Sequence, residues 1–245
     1  MDFLLLTLVA VWAGAQNALA GGGSFLLLPT LMFTGMDARA ANITCCAALF
    51  PAQIATGWTS RKYAEGVGGL PLSVFYAVSV VGGAIGAAIL LATTRESFAR
   101  LVPWLVLFAT ALFAWGSFGR KSESHVHVGP VGAAVMQFLI SVYGGYFGGG
   151  AGFLIVAALT MAGQSVRVAS ATKNILAGVM NTAAVAIFLF SPDLHWSQAL
   201  ATSLGAIVGG VSGAKALHHI NEKVLRLVVV IVGALLTVGL FYKAG

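Results

Sequence analysis

Long stretches without a charged residue are the feature that most constrains how this chain can fold. No Asp, Glu, Lys or Arg occurs in the ranges 3–36, 40–60, 66–94, 101–118 and 128–166. A helix that crosses the hydrocarbon core of a bilayer needs roughly 20 mostly apolar residues, and several of these ranges reach that length. Backbone polar groups in lipid must be satisfied within the protein, which leaves helices or a closed barrel.

The composition separates these two possibilities and excludes other classes of protein. The apolar ranges are continuous and lack the alternation that a barrel strand requires. Only 8% of the 245 residues are charged, whereas soluble domains carry about 25%. The basic residues behind the net charge of +6 stand singly or in pairs between apolar ranges, as topology signals do. We therefore predict an all-α, multi-pass integral membrane protein that contacts the lipid bilayer and no nucleic acid.

The chain resembles itself when it is shifted by 128 positions. Nine identities fall within residues 21–44, including the spacing Gly-x3-Arg-x-Ala-x2-Thr, which begins at Gly35 and again at Gly163. We predict a first membrane repeat at 1–119, a polar linker at 120–127 and a second membrane repeat at 128–245. Each repeat holds about five apolar segments, which gives eight to ten helices. The segments are 3–19, 23–34, 40–60, 68–93 and 100–118, then 129–146, 151–162, 168–190, 197–217 and 225–242.

The second segment of each half is too short to span the hydrocarbon core and follows a glycine cluster, at 21–23 or 148–150. Each glycine weakens a helix by about 1 kcal/mol relative to alanine, so we predict a broken helix followed by a half-helix. Five segments are an odd number, which favours inverted repeats. Four spans per half, with parallel repeats, stays open as the alternative. Four further glycines are predicted to let helices pack closely, namely Gly82, Gly86, Gly209 and Gly213.

Interrupted segments at matching positions of two repeats indicate a transporter site. The N-terminus of a half-helix presents free N–H groups and a positive dipole end, which suits an anion. Lys173 lies in an apolar range and shares one helix face with Ala177 and Asn181. A charge inside a membrane segment indicates function, although a lysine near a helix end can instead reach the interface.

The equivalent positions in the first half carry neutral residues, Cys45 for Lys173 and Gln53 for Asn181. The predicted substrate-binding residues are Gly22, Gly23, Ser24, Phe25, Asn42, Thr44, Gln53, Gly149, Gly150, Ala151, Gly152, Phe153, Thr172, Lys173, Asn174 and Asn181.

The sequence holds no paired carboxylates, no Ser/His/Asp arrangement and no phosphate-binding Walker pattern, so we predict no enzyme. The adjacent Cys45 and Cys46 lack metal-ligand spacing. We expect neither a metal nor a cofactor. The leading hypothesis is an anion transporter that works by alternating access. A channel-like pore, or a membrane scaffold without transport coupling, is the alternative.

The duplicated motifs resemble those of the sulfite exporter TauE/SafE family of bacterial and plant permeases. The resemblance rests on Ala20-Gly-Gly-Gly-Ser-Phe25 with Pro29 and Gly35, on Gly148-Gly-Gly-Ala-Gly-Phe153 with Gly163, and on Ala169-x2-Thr172-Lys173 with Asn181. It implies a secondary permease for sulfite, thiosulfate, an organosulfonate or another small anion. We expect a location in the bacterial inner (plasma) membrane, and we expect the protein to form a homodimer.

Overall fold

A computed structural model describes residues 3–19, 21–67, 69–118, 128–216 and 222–244, and the predicted linker at 120–127 lies outside these residues. The described residues form ten α-helices and one short 3-10 turn at Arg61–Tyr63. The all-α prediction is confirmed, and most helix bounds lie within a few residues of the predicted segments. The helices are α1 Phe3–Leu19, α2 Ser24–Phe33, α3 Ala38–Ser60, α4 Leu72–Ala92, α5 Arg95–Phe118, α6 Pro130–Tyr146, α7 Ala151–Met161, α8 Val166–Phe188, α9 Trp196–Ala216 and α10 Glu222–Ala244.

The two central helices, α3 and α8, start with matching caps. The Asp37 carboxylate accepts hydrogen bonds from the N–H groups of Arg39 and Ala40, both at 3.0 Å. Ser165, which lies 128 residues later, accepts from the N–H of Val168 at 3.3 Å. Such caps satisfy N–H groups that have no partner inside the helix. Local sequence therefore sets the same starting point in both halves.

The outer surface of the helix assembly is apolar. Phe33 and Phe190 are 82% and 90% exposed, and large aliphatic side chains lie exposed along most of the helices. A surface of this kind would be unfavourable in water but suits acyl chains. Leu72–Ala92 and Arg167–Phe188 have mean hydropathies of 2.2 and 1.2, and both are long enough to cross a bilayer.

The helix contacts follow one pattern twice. α1 packs against α9 as α6 packs against α4, and α3 packs against α9 as α8 packs against α4. α3 also pairs with α8, and α5 pairs with α10. Exchanging the first five helices for the last five leaves these pairings unchanged. The boundaries of the two membrane repeats remain a prediction from the sequence.

Equivalent helices of the two halves run in opposite directions. On α3 and α8, Gln53 lies opposite Asn181, whereas the later Ser60 lies opposite the earlier Asn174. On α5 and α10, Trp104 meets Phe241, whereas Thr110 lies beside Gly233. Both pairs are antiparallel, so the inverted arrangement is confirmed.

The inversion has a different origin from the one that the segment count suggested. α2 returns along α1, because Gly23 packs on Ala13 and Leu26 lies beside Leu8. α7 likewise returns along α6, where the Val128 N–H donates to the carbonyl of Met161. Each of these pairs makes no net crossing, which leaves three crossing helices per half. Three is also odd, so the alternative of parallel repeats is excluded.

The two ends of the bundle are named here after equivalent arginines. The Arg39 end carries the start of α3, the end of α4, the start of α5 and the loop that contains Asp193. The Arg167 end carries the end of α3, the loop that contains Glu65 and the start of α8.

Glycines allow the closest helix contacts. A side-chain carbon at Gly209 would lie 1.8 Å from the carbonyl oxygen of Val11, and one at Gly86 would lie 2.1 Å from that of Val142. Added carbons at Gly82 and Gly213 would lie 2.7 Å from Ser141 Cβ on α6 and 2.6 Å from Ala15 Cα on α1. The predicted packing role of these four glycines is confirmed.

We predict that Gly209→Ala lowers the melting temperature of the purified protein in detergent. Its methyl group would force α1 away from α9, and overpacking of this kind costs about 1–3 kcal/mol. Gly239→Ala is the matched control, because no described atom lies within 4 Å of its added carbon. Equal melting temperatures for the two variants would contradict the close packing of α1 and α9.

Candidate functional site

The two glycine breaks meet at one cavity beside the crossing of α3 and α8. Gly21 and Gly22 have φ angles of 73° and 134°, and Gly148 and Gly150 have 75° and 77°. Glycine adopts these left-handed conformations without the penalty that a side chain brings. The breaks therefore turn the chain back on itself inside the protein.

Side chains next to each break hold its backbone. Gln16 Nε2 donates to the carbonyl of Gly22 at 3.1 Å, and Asn17 Oδ1 accepts from the Gly22 N–H at 3.4 Å. In the second half the Tyr143 hydroxyl donates to the carbonyl of Gly149 at 2.7 Å. The sequence predictions missed Gln16 and Asn17. Two amides at the end of an apolar segment, just before the glycines, were the available signal.

The cavity brings half of the predicted residues together. The cavity is narrow, with a volume of about 30 Å³. The predicted residues that line it are Gly22, Gln53, Gly150, Ala151, Gly152, Lys173, Asn174 and Asn181. The lining residues outside the predicted set are Asn17, Gly21, Thr56, Gly148, Ala177 and Met180.

Lys173 supplies the charge of the cavity. The residue is only 5% exposed, and no acidic side chain or hydrogen-bond acceptor pairs with its ammonium group among the described residues. Gly152 leaves room for it, since an added side-chain carbon there would lie 3.3 Å from Lys173 Cδ, and Gly21 lies beside its ammonium group. A lysine that reached the membrane surface would be exposed, so that alternative does not describe this side chain.

The two half-helices contribute unequally. Ala151 and Gly152 are the first residues of α7 and line the cavity, where their N–H groups precede the first hydrogen bond of the helix. At the first break, only Gly21 and Gly22 line the cavity. Gly23 packs against α1 instead, because an added carbon there would lie 2.2 Å from a carbonyl oxygen of that helix. The positive end of α7 is thus the one that faces Lys173.

Amide side chains complete the lining. Gln53 and Asn181, which stand 128 positions apart, are joined by a hydrogen bond of 2.6 Å from Asn181 Nδ2 to Gln53 Oε1. The Nε2 group of Gln53 has no acceptor among the described residues and remains available to a ligand. Asn174 donates to Ser60 Oγ at 3.0 Å, which fixes its carboxamide at the cavity wall.

Three predicted polar residues lie outside the lining and connect helices. Asn42 donates to a backbone carbonyl of α6 at 3.1 Å. Thr44 accepts from the N–H of His195 at 3.2 Å, and Thr172 accepts from the N–H of Glu65 at 3.1 Å. The structure therefore places these side chains in contacts between the two halves.

The remaining predicted residues surround the breaks. The rings of Phe25 and Phe153 lie 3.2 and 3.1 Å from the position that a side-chain carbon at Gly22 would take. Gly149 accepts the bond from the Tyr143 hydroxyl, and Ser24 opens α2 outside the lining.

Comparisons with known proteins show the family to which the chain belongs. The family model for the sulfite exporter TauE/SafE matches residues 6–240. A "Probable membrane transporter protein" of Haemophilus influenzae is 27% identical over 98% of this chain and 95% of its own length. The "Probable membrane transporter protein YfcA" of Escherichia coli K12 is 25% identical over 98% and 90%. The "Probable membrane transporter protein ORF9" of a Sinorhizobium species is 28% identical over 96% and 90%. No solved structure matches the chain.

The family model covers nearly every helix of the bundle, including both breaks and the α3–α8 crossing. The relatives extend over the same length and carry transporter names. The chain is a membrane transporter and belongs to the sulfite exporter TauE/SafE family.

Proposed function

We propose that the protein is a secondary permease that moves a small anion through the cavity at Lys173 by alternating access. The observation that carries the proposal is the buried ammonium group of Lys173, which has no carboxylate partner among the described residues. An unpaired buried charge is costly in a membrane protein. An anionic substrate would offset that cost each time it occupies the cavity.

The substrate class follows from the donors that surround the space. Besides Lys173, the cavity presents the N–H groups of Ala151 and Gly152 and the carboxamide of Gln53. Several donors converging on one point suit a compact head group with several oxygens, because hydrogen bonds to a charged acceptor are the stronger ones. Sulfite, thiosulfate and organosulfonates have such head groups, and the family description supports this class.

The lining also bears on energy coupling. Lys173 is the sole Lys, Arg, Asp, Glu or His among the lining residues, so the cavity offers no carboxylate as a proton carrier. The sequence has no nucleotide-binding motif. We therefore assign the driving force to the proton gradient or the membrane potential, with the substrate itself carrying any proton.

The distribution of basic residues orients the bundle in the membrane. Among the residues that the structure describes, six basic residues flank the Arg167 end, namely Arg61, Lys62, Arg167, Lys215, Lys223 and Arg226. Four flank the Arg39 end, namely Arg39, Arg95, Arg100 and Lys243. Short cytoplasmic connections carry the excess of Lys and Arg. We therefore propose that the Arg167 end faces the cytoplasm across a bacterial inner membrane. The homodimer stays a prediction from the sequence.

We predict that Lys173→Met reduces uptake of labelled sulfite or thiosulfate into proteoliposomes by about 10- to 100-fold. The loss corresponds to charge-assisted hydrogen bonds of roughly 1.5–3 kcal/mol. The matched control is Lys62→Met, which removes the same charge from an exposed position outside the cavity. Full activity of Lys173→Met would contradict the assigned site.

The same assay separates the proposed permease from its alternatives. A permease shows saturable uptake that a gradient accelerates, whereas a channel-like pore shows conductance that does not saturate. A scaffold moves none of sulfite, thiosulfate, sulfoacetate and taurine, and it tolerates substitutions at both glycine breaks.

We predict that a membrane-impermeant maleimide reaches a thiol at Lys62→Cys from the cytoplasmic side only. In the same Cys45→Ala/Cys46→Ala background, Glu96→Cys at the Arg39 end should react from the outside only. Both positions are exposed, so reagent access reports the side of the membrane. The reverse labelling pattern would contradict the assigned orientation.

A further inference from the structure

Two acid–base pairs are related by the internal repeat. Arg39 and Arg167 lie 128 residues apart, and so do Glu65 and Asp193. The same offset relates α3 to α8. In each half the arginine lies in the first turn of the central helix, and the acid lies in the loop that follows that helix. Because the halves are inverted, Arg39 meets Asp193 at one end, and Arg167 and Glu65 share the other.

The pair at the Arg39 end is formed and buried. Arg39 Nη2 lies 2.6 Å from Asp193 Oδ2, and their side chains are 16% and 1% exposed. Arg95 binds the other carboxylate oxygen of Asp193. Arg39 also donates to the carbonyl of Thr93 at 2.6 Å. These contacts join α3, the end of α4, the start of α5 and the loop before α9.

The pair at the Arg167 end is open. Arg167 and Glu65 are both exposed, and no ion pair within 4.0 Å joins them in the part of the chain that the structure describes. The Arg167 guanidinium lies 5.8 Å from the centre of the Tyr63 ring. The Glu65 backbone is held, because its N–H donates to Thr172 and its carbonyl accepts from Gln164 at 2.9 Å.

The cavity has the same asymmetry as the two pairs. Thr56 on α3 and Lys173 and Asn174 on α8 lie between the Gln53–Asn181 contact and the Arg167 end. The position equivalent to Lys173 on the opposite side of that contact is Cys45, which is buried in the apolar core. The cavity therefore lies on the side of the unformed pair, and packed core lies on the side of the formed pair.

We propose that Arg39–Asp193 and Arg167–Glu65 are two gates that close the opposite ends of the transport path in alternation. This inference rests on the alternating access of the proposed function. In the described conformation the Arg39 gate is closed and the Arg167 gate is open. When the halves exchange conformations, Arg167 pairs with Glu65 while Arg39 releases Asp193.

The symmetry explains why ion pairs suit this task. Breaking one buried pair leaves charges that water must solvate, which is unfavourable by itself. Forming the equivalent pair at the other end recovers much of that cost, so the two conformations remain close in free energy. Rigid packing between the gates converts the exchange into two discrete states rather than a continuous deformation.

The test measures access to the cavity from each side without any substrate. Ala177→Cys in the Cys45→Ala/Cys46→Ala background places a thiol on the cavity wall. Vesicles of both orientations are treated with a membrane-impermeant maleimide, and the rate of labelling is compared from the two sides. The gate variants are Asp193→Asn and Glu65→Gln, which remove equivalent charges with little change in shape. Arg95→Gln is a milder second variant of the Arg39 gate, because the Arg95 side chain is 55% exposed.

In the parent, labelling should proceed from the Arg167 end. We expect Asp193→Asn to raise labelling from the Arg39 end relative to the other end by about tenfold, with Arg95→Gln shifting it in the same direction. A tenfold change in ratio is a shift of about 1.4 kcal/mol between the conformations. Glu65→Gln should not raise labelling from the Arg39 end, and Asp193→Asn combined with Glu65→Gln should return the ratio towards that of the parent.

Two results would overturn the gates: a folded Asp193→Asn or Arg95→Gln with the parent's labelling ratio, or a Glu65→Gln that shifts the ratio in the same direction as Asp193→Asn. The labelling assay is independent of substrate. Alternating access to the Ala177→Cys thiol without uptake of sulfite or thiosulfate would therefore leave the gates in place and contradict the proposed substrate class. Saturable uptake of sulfite or thiosulfate, together with gate variants that keep the parent's labelling ratio, would support the proposed substrate class and contradict the gates.

Discussion

The cost of leaving backbone N–H and C=O groups unpaired in lipid governs the architecture of this transporter. A helix can be interrupted inside the membrane only where protein groups satisfy the freed backbone. Here the interruptions are buried in the bundle, and Gln16, Asn17 and Tyr143 bond to the glycine backbone beside them. Because each broken pair returns along itself, each half crosses the membrane an odd number of times. The inversion of the two halves and the meeting of their breaks both follow from this turn.

The duplicated chain derives its chemistry from the positions at which its halves differ. Gln53 and Asn181 occupy equivalent positions, both carry a carboxamide, and they bond to one another across the centre of the bundle. Cys45 and Lys173 also occupy equivalent positions but differ in chemistry. Cys45 is packed in the core, whereas Lys173 brings a positive charge to the cavity. A symmetric scaffold thus supplies two equivalent ends, while a single unmatched lysine supplies the charge of the cavity in which we propose that an anion binds.

The sequence predicted the helices and their inverted pairing, and half of the residues that it predicted for the site line the cavity. Gly150 and Lys173 were recognisable because glycine clusters and intramembrane charges stand out in apolar sequence, and both line the cavity. Asn42 and Thr44 looked equally suitable, yet they lie on the opposite side of the α3–α8 crossing, where Asn42 binds the backbone of α6 and Thr44 that of the loop before α9. Helical periodicity predicts the helix face on which a residue lies. It does not tell which half of that face borders open space.

By itself, the sequence determined the membrane class, the two matching breaks and the position of the unmatched lysine, because these depend on hydropathy, spacing and charge along the chain. Only the tertiary structure decided that α2 and α7 turn back, that the α7 N-terminus rather than that of α2 faces Lys173, and that Arg39 binds Asp193 while Arg167 stands apart from Glu65. The physical reason is that equivalent sequences permit equivalent contacts at both ends. Packing of the two halves against each other forms a contact at one end and leaves its counterpart open.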